Sequence, residues 1–414
     1  MKLTCLQENL NKGLGIVSRA VATRTTLPIT QNILIVAGID EEKKERFLKL
    51  AATNLEIAIS CWVGAKIEEE GAITIPARLL TEFISSLPNP NDPIDITLTQ
   101  RTLQLKCARF EARINGLDAQ DFPPIPQVSD GIETEITPMA LWQGIKQVTF
   151  AAATEESRPV LTGNQLEFDG DKLAMAAADG FRLAVHNTSL LSPVKNKTAI
   201  IVPARALNEL SHFLTDQKEP VKITVNQQKS QVLFKLGNIG TVKRIEMVSQ
   251  LIQGAFPNYS QLIPQSYVTR AVVDVAEFLR AIKVASIFAR DGSGIVRLVI
   301  TPGTKPDQGK VTVSARAEEV GDNVSEIGAR IDGEPAKIAF NAKYLSDVLD
   351  VAILGLKDIK KFWRGSVVEE VPKAEVVPLS EVALETTTSS SPGVLRPVGV
   401  DNYIHVVMPM FVQW

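Results

Sequence analysis

The residues that could do chemistry are few and far apart. His186, His212 and His405 fall in three distant segments. None belongs to an HxxxH or HxH pair, the spacings that place two imidazoles on one metal ion. Gly303-Thr304-Lys305-Pro306-Asp307-Gln308-Gly309-Lys310 has the composition of a phosphate loop. Five residues separate its glycines where four are needed, and Val311 stands where a Ser or Thr would hold magnesium. A Gly/Pro hairpin turn accounts for it better. There is no GxSxG nucleophile elbow. Cys5, Cys61 and Cys107 are an odd count without a CxxC or a recognisable nucleophile setting, and they fit a reducing cytoplasm. Glu68-Glu69-Glu70 reads as a solvated strand end rather than an acid pair. These patterns point away from an enzyme and imply neither a metal nor a cofactor.

The elements that position these residues repeat along the chain. Ile73-Thr74-Ile75-Pro76-Ala77-Arg78-Leu79-Leu80, Ile200-Ile201-Val202-Pro203-Ala204-Arg205-Ala206-Leu207 and Ile338-Ala339-Phe340-Asn341-Ala342-Lys343-Tyr344-Leu345 share one pattern. Each is a short apolar strand, then Pro or Asn where a helix can begin, then a cation at the third helical position and apolar residues at helical spacing. Two further markers keep the same order. Leu50-Ala51-Ala52-Thr53-Asn54 resembles Met175-Ala176-Ala177-Ala178-Asp179, and Phe122-Pro123 resembles Phe256-Pro257. The offsets agree on a period of about 130 residues, so the chain is three copies of one domain.

The domains are expected at 1–129, 130–265 and 266–414, with linkers near Gln127–Glu133 and Pro264–Thr269. Each copy reads as an early helix (Leu6–Ala22, Met139–Ala152, Val275–Ala289), a mid-copy helix, and alternating strands such as Ile94–Leu98 and Val221–Val225. The fold class is α+β, two helices per copy packed on antiparallel sheet. A length of 414 residues and 45% hydrophobic content suit several packed cores. No stretch of about 18 residues is both apolar and free of charge, so no membrane span is expected.

The net charge is only −3, yet cations recur on the helices: Lys12, Arg19, Lys146, Arg280 and Lys283 early, and Arg78, Arg205 and Lys343 mid-copy. A cation in a helix's first turn opposes the macrodipole at a cost of a few tenths of a kcal/mol, so its recurrence suggests a common anionic partner. Acidic residues gather elsewhere, as in Glu41-Glu42 and Glu318-Glu319. Such segregation suits a protein that surrounds duplex DNA, attracting phosphates without reading bases.

Four motifs then resemble a known family over nearly the whole chain. Thr26-Leu27-Pro28-Ile29, Asp179-Gly180-Phe181-Arg182-Leu183-Ala184, Phe256-Pro257-Asn258-Tyr259 and Tyr403-Ile404-His405-Val406-Val407-Met408-Pro409-Met410 are similar to those of the bacterial sliding clamp, the beta subunit of DNA polymerase III. The resemblance implies a head-to-tail homodimer, a six-domain ring around double-stranded DNA. It also implies a clamp loader, and a replicative polymerase and other proteins that bind through clamp-binding peptides. The alternative is a non-DNA ring or scaffold protein that binds peptide motifs. Phe181 stands where the family often has His, and Ser260-Gln261 where a basic residue is common. The tail Phe411–Trp414 and a stretch at 356–377 look added, the latter a surface excursion.

Residue by residue, the resemblance and the charge pattern yield three expectations. Arg24, Arg78, Lys146, Arg205, Arg280, Lys283 and Arg290 face DNA, with Arg24 and Arg205 matching family positions best. A peptide groove between the second and third copies is walled by Leu161, Gly180, Phe181, Arg182, Leu183, Pro257, Leu262, Asn341, Tyr344, Val407, Met408, Pro409 and Met410. Leu183 and Met408 form its floor, and Arg182 and Asn341 orient the peptide. Subunits meet where a basic edge strand, Arg101–Phe110 with Arg109, pairs with Val311–Glu319, which ends in Glu318-Glu319, and Phe110 meets Ile287 and Phe288.

Overall fold

The computed structural model describes residues 1–40, 45–289, 294–317, 321–363 and 380–414. The first copy runs β1 (Lys2–Leu6), α1 (Gln7–Val17), β2 (Asn32–Asp40), β3 (Glu45–Thr53), β4 (Ile57–Val63) and β5 (Ala65–Glu69). It continues with β6 (Gly71–Pro76), α2 (Ala77–Ser86), β7 (Pro93–Thr99), β8 (Thr102–Cys107) and β9 (Phe110–Asn115). The second has β10 (Gly131–Ile136), α3 (Pro138–Val148), β11 (Gly163–Asp169), β12 (Lys172–Ala178) and β13 (Arg182–Ser189). After these come β14 (Thr198–Pro203), α4 (Ala204–Leu214), β15 (Val221–Asn226), β16 (Gln231–Leu236) and β17 (Val242–Gln250). The third has β18 (Thr269–Asp274), α5 (Val275–Ala289), β19 (Ile295–Thr301), β20 (Gly309–Ala317) and β21 (Gly321–Gly333). It ends with β22 (Ala336–Asn341), α6 (Ala342–Trp363), β23 (Glu381–Thr386), β24 (Gly393–Pro397) and β25 (Tyr403–Val407).

The repeated junctions fold as the pattern predicts, one residue later. Pro76 keeps extended ψ and ends β6, so α2 begins at Ala77 and Arg78 is its second residue; Arg205 and Lys343 take the same place in α4 and α6. Leu80 and Ile84 are fully buried, as are Leu207 and Leu210 of α4. Each such side chain contributes roughly 2 kcal/mol of apolar burial, which outweighs the cation's dipole penalty. In the strands the alternation is plain: Val296, Leu298 and Ile300 of β19 are buried while their neighbours are not. The phosphate-loop look-alike is the connection between antiparallel β19 and β20, and Glu69 closes β5 as an exposed strand end.

Two compact units form. One comprises Met1–Pro138, Leu190–Val194 and His212–Leu251, the other Met139–Ser189, Lys195–Ser211 and Ile252–Trp414. The first unit holds a five-stranded sheet, β5-β1-β7-β8-β9, and an eight-stranded one, β10-β15-β16-β17-β4-β3-β2-β6. In it α1 packs on α2 and on β3 and β4. The second unit holds a twelve-stranded sheet, β14-β11-β12-β13-β25-β24-β23-β18-β21-β20-β19-β22. There α5 packs on α6 and on β19, β20 and β21. The units cut across the copies because copies are stitched by strand pairing: β17 lies antiparallel on β4, and β25 on β13.

Three expectations shift. Arg101–Phe110 is not an edge strand: β8 lies between β7 and β9, and Phe110–Asn115 forms the edge itself. Ala108 turns the chain back with φ +49, a left-handed step carried by a residue that gives no sequence signal for it. Likewise β20 is interior, flanked by β19 and β21. The open edge there is the stretch Gly321–Ala329 of β21, which pairs only with β20, because β18 reaches no further than Arg330. The stretch at 356–377 begins as a continuation of α6 to Trp363, and its remainder lies outside the described residues.

Candidate partner groove and cation-bearing helices

The candidate groove would be built on a turn. Between β12 and β13, Asp179 accepts hydrogen bonds at Oδ1 from the backbone N–H of Phe181 (2.9 Å) and of Arg182 (3.0 Å), and Gly180 takes φ +93. That conformation favours glycine and turns the Phe181 side chain outward, 58% exposed. Phe181 C=O then accepts from the Met408 N–H at 2.8 Å, just past the end of the β13–β25 ladder, where Arg182 faces Val407. The second-copy turn and the third-copy tail are therefore held side by side by backbone bonds.

On one sheet face, Ala176, Leu183, Val185, Val394 and Val406 form a buried cluster capped by the partly buried Phe256, Tyr259 and Ile263. Leu183 is only 3% exposed, so it underlies the groove and does not line it. Met408 (40% exposed) and Leu262 (51%) are open to a partner, whereas Leu161 and Val407 are buried. Pro257 is exposed, and Asn341, Pro409 and Met410 are half-buried. Phe181 stacks with Tyr344 at a centroid distance of 6.4 Å.

Arg182 has a different role from the expected one. Nε donates to Asp179 Oδ2 at 2.9 Å, Nη1 to Asp347 Oδ2 at 2.6 Å, and Nη2 to the Phe150 carbonyl at 2.7 Å. Its guanidinium also lies over the rings of Tyr344 and Phe150, at 4.7 and 5.4 Å. A guanidinium that is 9% exposed and paired in this way does not reach out to orient a peptide; it fixes the turn and Tyr344. Asn341 is partly occupied too, since its Oδ1 caps the Lys343 N–H at 2.9 Å. The residues that sequence reasoning missed are Asp347, Phe150, Tyr259 and Val406. Tyr259 and Val406 lay in quoted motifs without being assigned to the groove, and Asp347 sits 165 positions from the arginine it pairs with.

Behind Arg182, His405 is fully buried and stacked on Phe150 at 5.4 Å, and burial lowers its pKa to about 3, with the Arg182 charge pushing the same way. Burial lowers His186 to about 4. Both rings are neutral, and neither is grouped with carboxylates as a metal ligand would be.

Among the expected DNA-facing residues, Arg24 sits in an exposed loop, and Arg78, Arg205 and Arg280 are exposed on helices α2, α4 and α5; Lys146 is half-buried on α3. Arg78 pairs with Glu82 at 2.8 Å and Lys283 with Asp350 at 2.9 Å. Exposed pairs of this kind contribute little and exchange readily for a phosphate. Arg290 lies outside the described residues, as do Glu318 and Glu319. At the expected subunit contact, Arg101 and Arg109 are exposed, Phe110 and Phe288 half-buried, and Ile287 is 57% exposed.

Repeated α+β copies joined last strand to fourth strand, with recurrent cations on the helices, define a clamp-type protein. Family models of the DNA polymerase III beta subunit match in chain order: the N-terminal domain at residues 1–126, the central domain at 135–258 and the C-terminal domain at 260–353. The beta sliding clamp of Synechococcus elongatus is 30% identical over 99% of both chains, and that of Bacillus subtilis 32% identical over 85% of this chain and 90% of its own. The crystal structure of the DNA polymerase sliding clamp from Bacillus subtilis superposes with a TM-score of 0.84 at 28% identity, covering both chains fully. The DNA polymerase III subunit beta from Pseudomonas aeruginosa superposes at 0.83 and 27%, again over both full chains. The chain belongs to the bacterial beta sliding clamp family. Among the described residues no helix is long and apolar enough to cross a membrane.

Proposed function

We propose that this chain is a cytoplasmic, non-catalytic DNA sliding clamp, whose domains span 1–129, 130–265 and 266–414. Two copies close head to tail into a ring, a clamp loader places it on duplex DNA, and a replicative polymerase and other partners dock by peptide in the groove at Phe181 and Met408. The cations Arg24, Arg78, Lys146, Arg205, Arg280 and Lys283 attract phosphates loosely. Retention comes from topology, so tight contacts are unnecessary and would hinder sliding.

One observation carries the ring. The last strand of the second copy pairs with the fourth strand of the first (β17 on β4), and the last strand of the third copy with the fourth strand of the second (β25 on β13). The rule leaves two edges unused: β9, the last strand of the first copy, and Gly321–Ala329 of β21, the fourth strand of the third copy. A second copy of the chain supplies the matching edge at both ends, and a heterologous contact made twice closes. The test is retention. Loaded onto a nicked circular plasmid by a bacterial clamp loader with ATP, the protein should co-elute with DNA in high salt and leave when the plasmid is linearised. Equal retention on both forms, or none on the circle, overturns the proposal.

A further inference from the structure

The outer face of the β17–β4–β3 joint carries a pocket that the clamp reading leaves unused. It measures about 390 Å³ and is lined by Arg46, Phe47, Lys49, Trp62, Lys243 and Arg244, with Glu45 at its rim. A β-bulge creates it. The β17–β4 register shifts between Val242 and Arg244, whereas the equivalent β25–β13 joint runs without a shift. The extra residue bends β17 and turns Lys243 and Arg244 toward one cavity, a known use of bulges.

Arg46 donates to the Ile67 carbonyl, but Arg244 and Lys49 are held against an aromatic ring and under-partnered. The Arg244 guanidinium lies flat on Trp62, 3.7 Å from the ring centroid, and the Lys49 ammonium stands 5.0 Å from the same ring. Arg244 Nε is buried without a hydrogen-bond acceptor, its carboxylate neighbour Glu246 being 3.6 Å away and shared with Lys235. The Lys49 backbone belongs to the β2–β3–β4 ladder, but its ammonium has no hydrogen bond or ion pair with a described residue. Burial pushes its pKa down, with Arg244 adding to the effect and Glu246 opposing it. Half-burying an ammonium without an acceptor is unfavourable, and four cations around one small cavity repel one another. An anion in the pocket relieves both.

We propose that this pocket binds an oligophosphate, two or three linked phosphates, either free or carried by a nucleoside. Four positive charges against the two carboxylates of Glu45 and Glu246 leave an excess of two, which suits a polyanion better than a singly charged ligand. A nucleic-acid strand is disfavoured because Arg244 already covers Trp62, leaving no open aromatic face for a base to stack on. Stacking presents the guanidinium edge of Arg244 to the ligand, where Lys49 and Lys243 add point charges.

Calorimetry on the full chain at low salt, with pyrophosphate and dATP as probes, tests this. Both should bind once per chain and with similar affinity, the phosphates carrying recognition. Lys49→Met should weaken both about ten-fold or more, while raising the thermal midpoint by removing an uncompensated charge. Should Lys49→Met fail to fold, Lys243→Gln at the exposed side of the pocket carries the same test with a several-fold loss. Tight dATP binding with none of pyrophosphate moves recognition to the base and overturns the proposal. So does an oligo(dT) strand that displaces pyrophosphate, no binding of either probe at millimolar concentration, or unchanged affinity in the variants.

Discussion

At the scale of single residues, the groove depends on a buried charge that touches no partner. Arg182 is held by Asp179 and Asp347, whose side chains are 13% and 30% exposed, and Asp179 also caps the turn. Asp179→Ala leaves a buried guanidinium half-compensated and two backbone donors unmade, and is expected to cost about 3 kcal/mol in urea unfolding. A loss under 0.5 kcal/mol would mean the network is ornamental. On the proposed reading, ligand contacts fall to the exposed side chains. Phe181→Ala and Met408→Ala should each weaken a polymerase-derived peptide by roughly 30-fold, about 2 kcal/mol, in calorimetry. Wild-type affinity in both moves the groove elsewhere. The two buried histidines add a pH dependence. Their folded pKa values, about 4 for His186 and about 3 for His405, lie below the usual value near 6.5. From pH 6.5 down to about 4 the unfolded chain binds protons that the native chain refuses, so stability falls with falling pH, by up to ~1.4 kcal/mol per unit for each histidine. Urea midpoints at pH 7, 6 and 5 should show this slope, and His405→Phe should remove part of it.

At the scale of elements, the turn that shapes the groove has a twin. Asn54 Oδ1 accepts from the N–H of Glu56 (3.0 Å) and Ile57 (2.8 Å), as Asp179 does from Phe181 and Arg182, but the left-handed position is Leu55, at φ +77. A branched residue there is strained by about 1 kcal/mol or more, of which glycine returns part to its greater unfolded freedom. Leu55→Gly should therefore stabilise the protein by about 0.5 kcal/mol, read as a higher denaturant midpoint; a lower one sinks the idea. This equivalence was legible from the sequence because Asn54 and Asp179 keep their place in a repeated strand. The strand-to-helix junctions at Pro76, Pro203 and Asn341 were legible for the same reason: local chemistry fixes them. The β8–β9 turn was not, since Ala108 adopts its left-handed φ without glycine or asparagine. Nor was the employment of Arg182, because pairing between copies joins residues far apart in the chain, and no local pattern records it.

At the scale of the whole molecule, the internal joints predict the register of the joint proposed between subunits. In β4–β17, Cys61 faces Ile245 and Ser60 faces Glu246; in β13–β25, His186 faces Tyr403 and Val185 faces Ile404. Ile245 and Phe110 are equivalent: each is the first residue paired in the ladder across its hairpin, opposite Leu236 or Cys107, and the next residue, Glu246 or Glu111, opposes a lysine, Lys235 or Lys106. On the other edge Ser60 faces Ala51, Val185 faces Ala176, and Val324 faces Ser314 at the corresponding ladder position. Carrying the pairing over sets Phe110 opposite Ser325, Glu111 opposite Val324, Arg113 opposite Asp322 and Arg109 opposite Glu326. In that register two cations on one edge are expected to meet two carboxylates of β21 on the other, all on one sheet face. A one-residue slip would send every side chain to the wrong face, so charge tests the register directly. Arg113→Asp places like charges opposite each other at both contacts of the dimer and should weaken it by about ten-fold or more, as should Asp322→Arg. The double swap restores the pair in the reverse sense and should recover most of the lost affinity by analytical ultracentrifugation. If the singles dissociate the dimer and the double variant stays monomeric, the two edges meet in another register; if neither single matters, they do not meet at all.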